Sequence, residues 1–237
     1  MKYPKGYMSI ALFLKVVLEL PSDTVVVPFF RGESLMHPYF NIMLPYLKRF
    51  SEVQLATNAD FLTPKTKASI LGACTFVSVS LHSYLFPHKT NFTGFLHDLR
   101  ERGIETQISI VSSLLHGKHG GFVAAWQKHV DRVRIYREHS RKGFGSLEGA
   151  QQPKAACSKP FTDMVVYWNG RVGLCNHDWN GSVALGDLNT QSIKEVWNGK
   201  PYEEVRRLHA SGNRVFVASC VDCCFESNKL TGELIKA

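Results

Sequence analysis

The sequence predicts an α/β protein in two parts: a larger part with parallel strands, then a small α+β part that contains a β-hairpin. Two observations predict this. Apolar, β-branched runs alternate with helical patterns over roughly the first 136 residues, which is typical of strands joined by crossover helices. The second observation concerns the cysteines that follow a stretch with several glycines and few apolar residues. The first pair of cysteines encloses a turn sequence, and two short helical patterns separate it from the second pair.

Five runs have the composition of buried strands, at residues 24–30, 52–57, 75–81, 104–111 and 132–136. Helical patterns lie between them, at residues 38–50, 64–73, 91–102 and 121–130. Thr63 predicts a helix that begins at Pro64, Gly103 predicts a helix end, and Pro45 predicts a kink. Parallel strands in this order form a sheet, either doubly wound or curled toward a barrel, whose functional edge is the C-terminal ends of the strands.

Composition excludes some classes of protein. A formal charge of +8 favours anionic partners, but no basic stripe with interleaved aromatic residues predicts a nucleic-acid binder. Lys15 and Glu19 interrupt the apolar run near the start, and no stretch is long enough to span a bilayer. We therefore expect a cytoplasmic protein without a membrane contact. In that reducing compartment, clustered cysteines are better interpreted as metal ligands than as disulfides.

Three strand ends carry a family resemblance. The segment FRGESLMHP (30–38) resembles the Gly-Gly-Glu-Pro segment of radical SAM enzymes. LATNADFL (55–62) resembles their Thr-Asn-Gly segment, and VSVSLHS (77–83) resembles their Ser-Leu-Asp-Ser segment. The order and spacing of the three segments also match. The resemblance covers roughly residues 1–137. It implies a partial (β/α) TIM-like barrel that holds S-adenosylmethionine (SAM) on its open rim.

By this resemblance, Glu33 accepts a hydrogen bond from the methionine ammonium of SAM, with Asn58 and Ser80 nearby. Alternatively, Glu33 is a solvated carboxylate and the other two are ordinary turn residues. The sequence departs from the family pattern at four positions, which are Arg31, Ser34, Ala59 and His82.

The family's cluster-binding loop, Cys-x3-Cys-x2-Cys, has no counterpart in this sequence. The first cysteine is Cys74, which precedes a strand and is predicted to be a buried apolar residue. The first twenty residues resemble the helix that follows that loop. We therefore expect a truncated gene product, half of a split enzyme or a degenerate relative, and we predict that the isolated chain does not cleave SAM.

A hairpin is predicted between the first two cysteines of the C-terminal part. The Asn169-Gly170 pair suits a two-residue type I′ turn. Such a turn pairs Met164 with Cys175 and places Cys175 beside the loop that carries Cys157. The hairpin thus closes a long loop at low entropic cost.

The second pair of cysteines follows two predicted helices. Ser192 and Glu195 form a capping box, and Gly199 separates the helices. Cys220 and Cys223 have the spacing of a chelating turn. Four thiolates satisfy either tetrahedral zinc or a cubane iron–sulfur cluster.

The segment from Cys157 to Cys223 resembles the SPASM or twitch domain, the auxiliary-cluster appendage of radical SAM enzymes. The resemblance implies one auxiliary four-iron four-sulfur cluster held by Cys157, Cys175, Cys220 and Cys223, with Cys224 as a neighbour. Structural zinc and no metal at all are the alternatives. Asp178 stands where the family commonly has an acidic residue; it is a candidate for orienting substrate or relaying a proton, and a turn residue otherwise.

The sequence therefore predicts three segments: a partial radical SAM barrel (1–139), a linker (140–156) and a SPASM/twitch iron–sulfur domain (157–237). The resemblance implies SAM-dependent radical modification of an unknown peptide or small-molecule substrate. If the enzyme is split, a partner protein supplies the missing cluster loop. The alternative function is a non-catalytic metal-binding interaction module with iron–sulfur or zinc.

Overall fold

The computed structural model describes residues 5–82, 92–136, 157–178, 181–221, 223 and 232–236. The strands are β1 (Val25–Val26), β2 (Glu52–Thr57), β3 (Phe76–Ser80), β4 (Glu105–Val111), β5 (Arg132–Tyr136), β6 (Val165–Val166), β7 (Arg171–Gly173), β8 (Ala184–Asp187) and β9 (Gly232–Lys236). The α-helices are α1 (Ile10–Glu19), α2 (Phe40–Met43), α3 (Pro64–Ala73), α4 (Phe92–Glu101), α5 (His119–Trp126), α6 (Lys159–Thr162), α7 (Ile193–Trp197) and α8 (Lys200–Ala210). Short 3-10 helices cover Ser34–Met36, Leu44–Arg49, Ser112–Leu115 and Arg214–Phe216.

The chain forms two compact units, Met1–Leu20 with His139–Thr231 and Pro21–Glu138 with Gly232–Ala237. This grouping differs at both chain ends from the three predicted segments, which stay a prediction. The predicted linker at 140–156 and Cys224 lie outside the described residues. No described helix is both long and apolar enough to cross a membrane.

The unit built from residues 21–138 and 232–237 contains a six-stranded sheet in the order β1-β2-β3-β4-β5-β9. The first five strands are parallel, and β9 pairs antiparallel with β5. This confirms the predicted α/β class with parallel strands joined by helices. The strand β9 was not predicted, because its pairing partner lies about 100 residues away and nothing local in its sequence specifies that contact.

The two faces of this sheet differ in chemistry because side chains alternate along each strand. Val53, Leu55, Val77, Val79 and Ile108 are fully buried. The intervening positions of β3 and β4 carry polar groups that bond to one another, with Gln107 Nε2 donating to Ser78 Oγ over 3.0 Å. The sheet therefore has one apolar face and one polar face.

The predicted helix signals are confirmed. The Thr63 hydroxyl accepts a hydrogen bond from the Thr66 amide over 3.1 Å, and α3 begins at Pro64. Gly103 has a φ of +72° after α4. At Pro45 the predicted helix does not continue as an α-helix: α2 ends at Met43 and a 3-10 helix follows, because proline lacks the amide donor that the α-helical pattern requires.

The other unit contains the antiparallel sheet β6-β7-β8. The predicted hairpin is present, but its register is not the predicted one: Val165 pairs with Gly173 and Val166 with Val172. The Tyr167 carbonyl accepts a hydrogen bond from the Gly170 amide over 3.0 Å, and Gly170 has a φ of +88°. The Tyr167 amide also donates to the Arg171 carbonyl, so the loop between these two residues has three residues, 168–170. Gly170 is the last of them and takes the left-handed conformation.

Helix α1 belongs to this unit. Leu12 is buried in a cluster with residues of β7, β8, α7 and α8. The Lys15 ammonium donates to the carbonyl oxygens of Leu188 (2.6 Å) and Gln191 (2.8 Å). Burial of one apolar face and two side-chain hydrogen bonds thus hold α1 against the segment that carries the cysteines.

Candidate metal centre

Four cysteines of the second unit line one cavity. They are Cys157, Cys175, Cys220 and Cys223, and each is 6–8% exposed. Every thiol is free of a disulfide. The structure thus brings together the four residues that the sequence predicts as metal ligands, although they lie up to 66 residues apart in the chain.

Short local elements position these thiols. Cys157 precedes α6, and Cys175 lies two residues beyond β7. The Cys220 amide donates to the Val217 carbonyl over 2.8 Å, and the Cys223 amide donates to the Cys220 carbonyl over 3.3 Å. These bonds form a tight turn that presents two thiols to the same cavity.

The sulfur of Cys175 has donors around it. Burial raises the pKa of its thiol to about 11, and the nearby thiols of Cys223 and Cys157 raise it as well. Hydrogen bonds from the backbone amides of His177 and Asp178 lower that pKa. Two amides directed at one sulfur are suited to a thiolate.

The surroundings of Cys220 are similar. Burial raises the pKa of its thiol to about 12, with further increases from Cys175 and Cys223. The Ser219 hydroxyl and the charge of Arg214 lower it. The Ser219 hydroxyl is buried and makes no hydrogen bond of normal geometry within the described part of the chain.

His209 and Arg214 also line the cavity. The Nε2 atom of His209 lies 3.6 Å from the Cys220 sulfur. Burial and the charge of Arg214 lower the pKa of His209, while a hydrogen bond to the Cys157 backbone raises it. Arg214 is 2% exposed and is among the largest fully buried side chains of the described residues.

These residues fit an iron–sulfur cluster. Among the described residues, no three His, Cys, Asp or Glu side chains are arranged to hold a single metal ion. The cysteines instead surround a cavity, with amide donors at Cys175 and a hydroxyl beside Cys220. Thiolate ligands with such donors suit iron–sulfur clusters, whose sulfurs accept hydrogen bonds from the protein.

Asp178 is fully buried beside this centre. Its Oδ1 accepts hydrogen bonds from the Ser182 amide (2.9 Å) and hydroxyl (2.8 Å), and its Oδ2 accepts one from the Val183 amide (3.0 Å). The geometry therefore supports the alternative interpretation, in which the carboxylate organises the loop. Its candidate catalytic role stays a prediction.

The predicted SAM-binding residues lie in the other unit. The Glu33 carboxylate accepts hydrogen bonds from the Leu35 amide (3.0 Å), the Thr57 hydroxyl (2.8 Å) and the Asn58 amide (2.8 Å). The structure thus brings Glu33 and Asn58 together at the C-terminal end of β2. A carboxylate has about four acceptor sites, so these three bonds leave capacity for one more donor.

Ser80 ends β3, and its hydroxyl lies 3.1 Å from the Ser109 hydroxyl of β4. No described contact joins Ser80 to Glu33 or Asn58. The family departure at Ala59 is visible in the backbone: Ala59 has a φ of +62°, the left-handed conformation that glycine adopts more readily.

Sequence reasoning missed three residues of the centre, which are His209, Arg214 and Ser219. His209 shares the helical spacing of the buried Tyr202 and Val205 on α8, a pattern that predicts a core position and nothing more. Arg214 begins a short 3-10 helix and Ser219 lies in the turn after it, and no periodic pattern marks either residue.

Comparison with known protein families matches residues 157–224 to SPASM, an iron–sulfur cluster-binding domain. This match favours an iron–sulfur cluster over structural zinc at the four cysteines. Comparison with curated proteins finds no significant match.

Solved structures show the same fold over most of the chain. BtrN in complex with AdoMet and 2-DOIA is 20% identical, with a TM-score of 0.67 over 93% of this chain and 81% of that chain. BtrN in an open conformation gives a TM-score of 0.56 at 20% identity, over 92% and 80% of the two chains. The anSMEcpe structure with bound AdoMet is 13% identical, with a TM-score of 0.60 over 86% and 72%.

The chain therefore shares the fold of these solved structures over most of its length, and residues 157–224 match an iron–sulfur cluster-binding domain.

Proposed function

We propose that this chain holds one auxiliary four-iron four-sulfur cluster through Cys157, Cys175, Cys220 and Cys223, and that it serves SAM-dependent radical modification of a peptide or small molecule. One observation carries the proposal: four buried thiols line a single cavity inside the segment that matches the SPASM domain. When bound, such a cluster supplies one-electron chemistry.

The chain's own residues have definable tasks at this centre. The four thiols bind the iron atoms, and the amides of His177 and Asp178 stabilise the thiolate of Cys175. The low exposure of the cysteines limits access of water. Limited solvent access and hydrogen bonds to sulfur are the protein's means of setting the properties of a cluster.

SAM binding is the second part of the proposal. Glu33 lies at a strand end with acceptor capacity remaining, and the Asn58 amide fixes its orientation. Two of the solved structures with this fold contain AdoMet, one together with 2-DOIA. We propose that Glu33 accepts a hydrogen bond from the cofactor's ammonium group and that Asn58 and Ser80 contribute to the same rim.

This polypeptide contains no Cys-x3-Cys-x2-Cys segment. We therefore propose that these residues cleave SAM only together with a segment that supplies that loop. This same observation favours a second candidate, a non-catalytic module in which the metal centre shapes an interaction surface.

The test is anaerobic reconstitution of the full chain, with absorbance near 400 nm recorded and iron, sulfide and zinc counted. A single-turnover assay with dithionite and SAM follows. We expect an iron–sulfur cluster and no 5′-deoxyadenosine above background. Zinc in place of iron would contradict the cluster assignment, and 5′-deoxyadenosine from these residues alone would contradict the need for that loop.

A further inference from the structure

Arg214 is a charged residue in the lining of the metal centre. It begins the 3-10 helix Arg214–Phe216, between α8 and the turn that carries Cys220 and Cys223. Its side chain is 2% exposed and lines the same cavity as the four thiols. Water therefore screens its charge poorly.

Arg214 and Ser219 both line the cavity that the four thiols line, and Ser219 directly precedes Cys220 in the chain. Both residues are almost fully buried, at 2% and 4% exposed.

Other charged groups lie at the centre. Lys159 also lines the cavity and forms an ion pair with Asp163. The Asp178 carboxylate accepts hydrogen bonds from Ser182 and Val183. Among the described residues that line the cavity, Arg214 is the buried guanidinium.

A cluster with four thiolate ligands becomes more negative by one charge when it accepts an electron. A buried positive charge stabilises the more negative state, and hydrogen bonds to sulfur act in the same direction. We propose that Arg214, assisted by the Ser219 hydroxyl, raises the reduction potential of the auxiliary cluster, so that it accepts an electron more readily from a one-electron donor. Neither residue is a ligand in this proposal, which rests on the proposed function.

The experiment is a redox titration of the anaerobically reconstituted full chain, with mediator dyes and dithionite, followed by electron paramagnetic resonance. Arg214→Met removes the buried charge at similar volume. We expect the equilibrium constant for reduction to fall about tenfold, which is a shift of about 59 mV to lower potential for a one-electron couple. We expect Ser219→Ala to produce a fall of about twofold to threefold, and Arg214→Lys to stay close to wild type.

Arg207→Met is the matched control. Arg207 lies on α8, is exposed and pairs with Glu204 through two hydrogen bonds of 2.7 Å. This substitution removes the same formal charge, and we expect the potential to remain that of wild type because solvent screens an exposed charge. If Arg214→Met does not take up iron, Arg214→Gln replaces it, with the same expected fall.

Two results overturn the inference, and they are distinguishable. If the wild-type chain binds a cluster and the Arg214 and Ser219 variants have the same reduction potential as wild type, the inference fails and the proposed function stands. If the wild-type chain takes up no iron and sulfide, both fail.

Discussion

The Glu33 carboxylate accepts a hydrogen bond of 2.8 Å from the Thr57 hydroxyl, which joins the segment after β1 to the end of β2. The backbone amides of Leu35 and Asn58 donate hydrogen bonds to the same carboxylate. Glu33 therefore has a structural task before any cofactor binds, and it orders the strand ends at which SAM is proposed to bind.

Glu33→Gln should lower the free energy of unfolding by about 1–3 kcal/mol, because the amide group presents a donor where a backbone donor needs an acceptor. Urea denaturation measures this. Glu101→Gln, at an exposed position of α4, is the control and should change stability little. Unchanged stability in Glu33→Gln would show that the three hydrogen bonds contribute little. SAM affinity, measured by calorimetry on both variants, should fall for Glu33→Gln alone.

Asp178→Asn tests whether the buried carboxylate organises its loop. Ser182 and Val183 donate three hydrogen bonds to this carboxylate, and an asparagine loses one acceptor oxygen. We expect a loss of about 1–3 kcal/mol in the free energy of unfolding, measured by urea denaturation against the exposed Asp23→Asn. Full stability combined with loss of a substrate reaction would instead support the catalytic interpretation.

Cys74 provides a prediction about pH. Burial raises the pKa of its thiol from 9.0 to about 12. A group whose pKa is higher in the folded state stabilises the fold below its unfolded pKa, and this contribution is lost as the pH rises toward the folded value. The stability contribution of Cys74 is therefore complete below pH 9 and declines between pH 9 and 12.

The measurement compares wild type with Cys74→Ala by urea denaturation at pH 8 and pH 11. The stability difference between the two proteins should decrease by about 1–3 kcal/mol over this interval. Comparison with the variant removes the contributions of other alkaline groups. A difference that is the same at both pH values would mean that Cys74 ionises equally in the folded and unfolded chains.

Local signals made much of the fold predictable. The capping box of Ser192 and Glu195, the Thr63 cap before Pro64 and the left-handed Gly103 are all specified by neighbouring residues, and the structure contains each of them. Ala59, where the family pattern has a glycine, has a positive φ, which costs a residue with a side chain about 1 kcal/mol.

What the sequence did not reveal depends on contacts between distant residues. The hairpin register follows from the left-handed Gly170 that closes a three-residue turn, whereas Asn-Gly pairs also suit the two-residue turn. The pairing of β9 with β5 and the inclusion of α1 with the cysteine segment are likewise non-local. Arg214 reaches the cavity from a short 3-10 helix, which no periodic pattern marks.

The most direct test of the proposed centre is the iron and acid-labile sulfide content per chain after anaerobic reconstitution. We expect about four of each for wild type and for Cys74→Ala, whose thiol lies in the other unit. Single alanine substitutions at Cys157, Cys175, Cys220 or Cys223 should abolish or strongly reduce both. Stoichiometric zinc without sulfide in wild type, or full iron and sulfide in all four variants, would contradict the assignment.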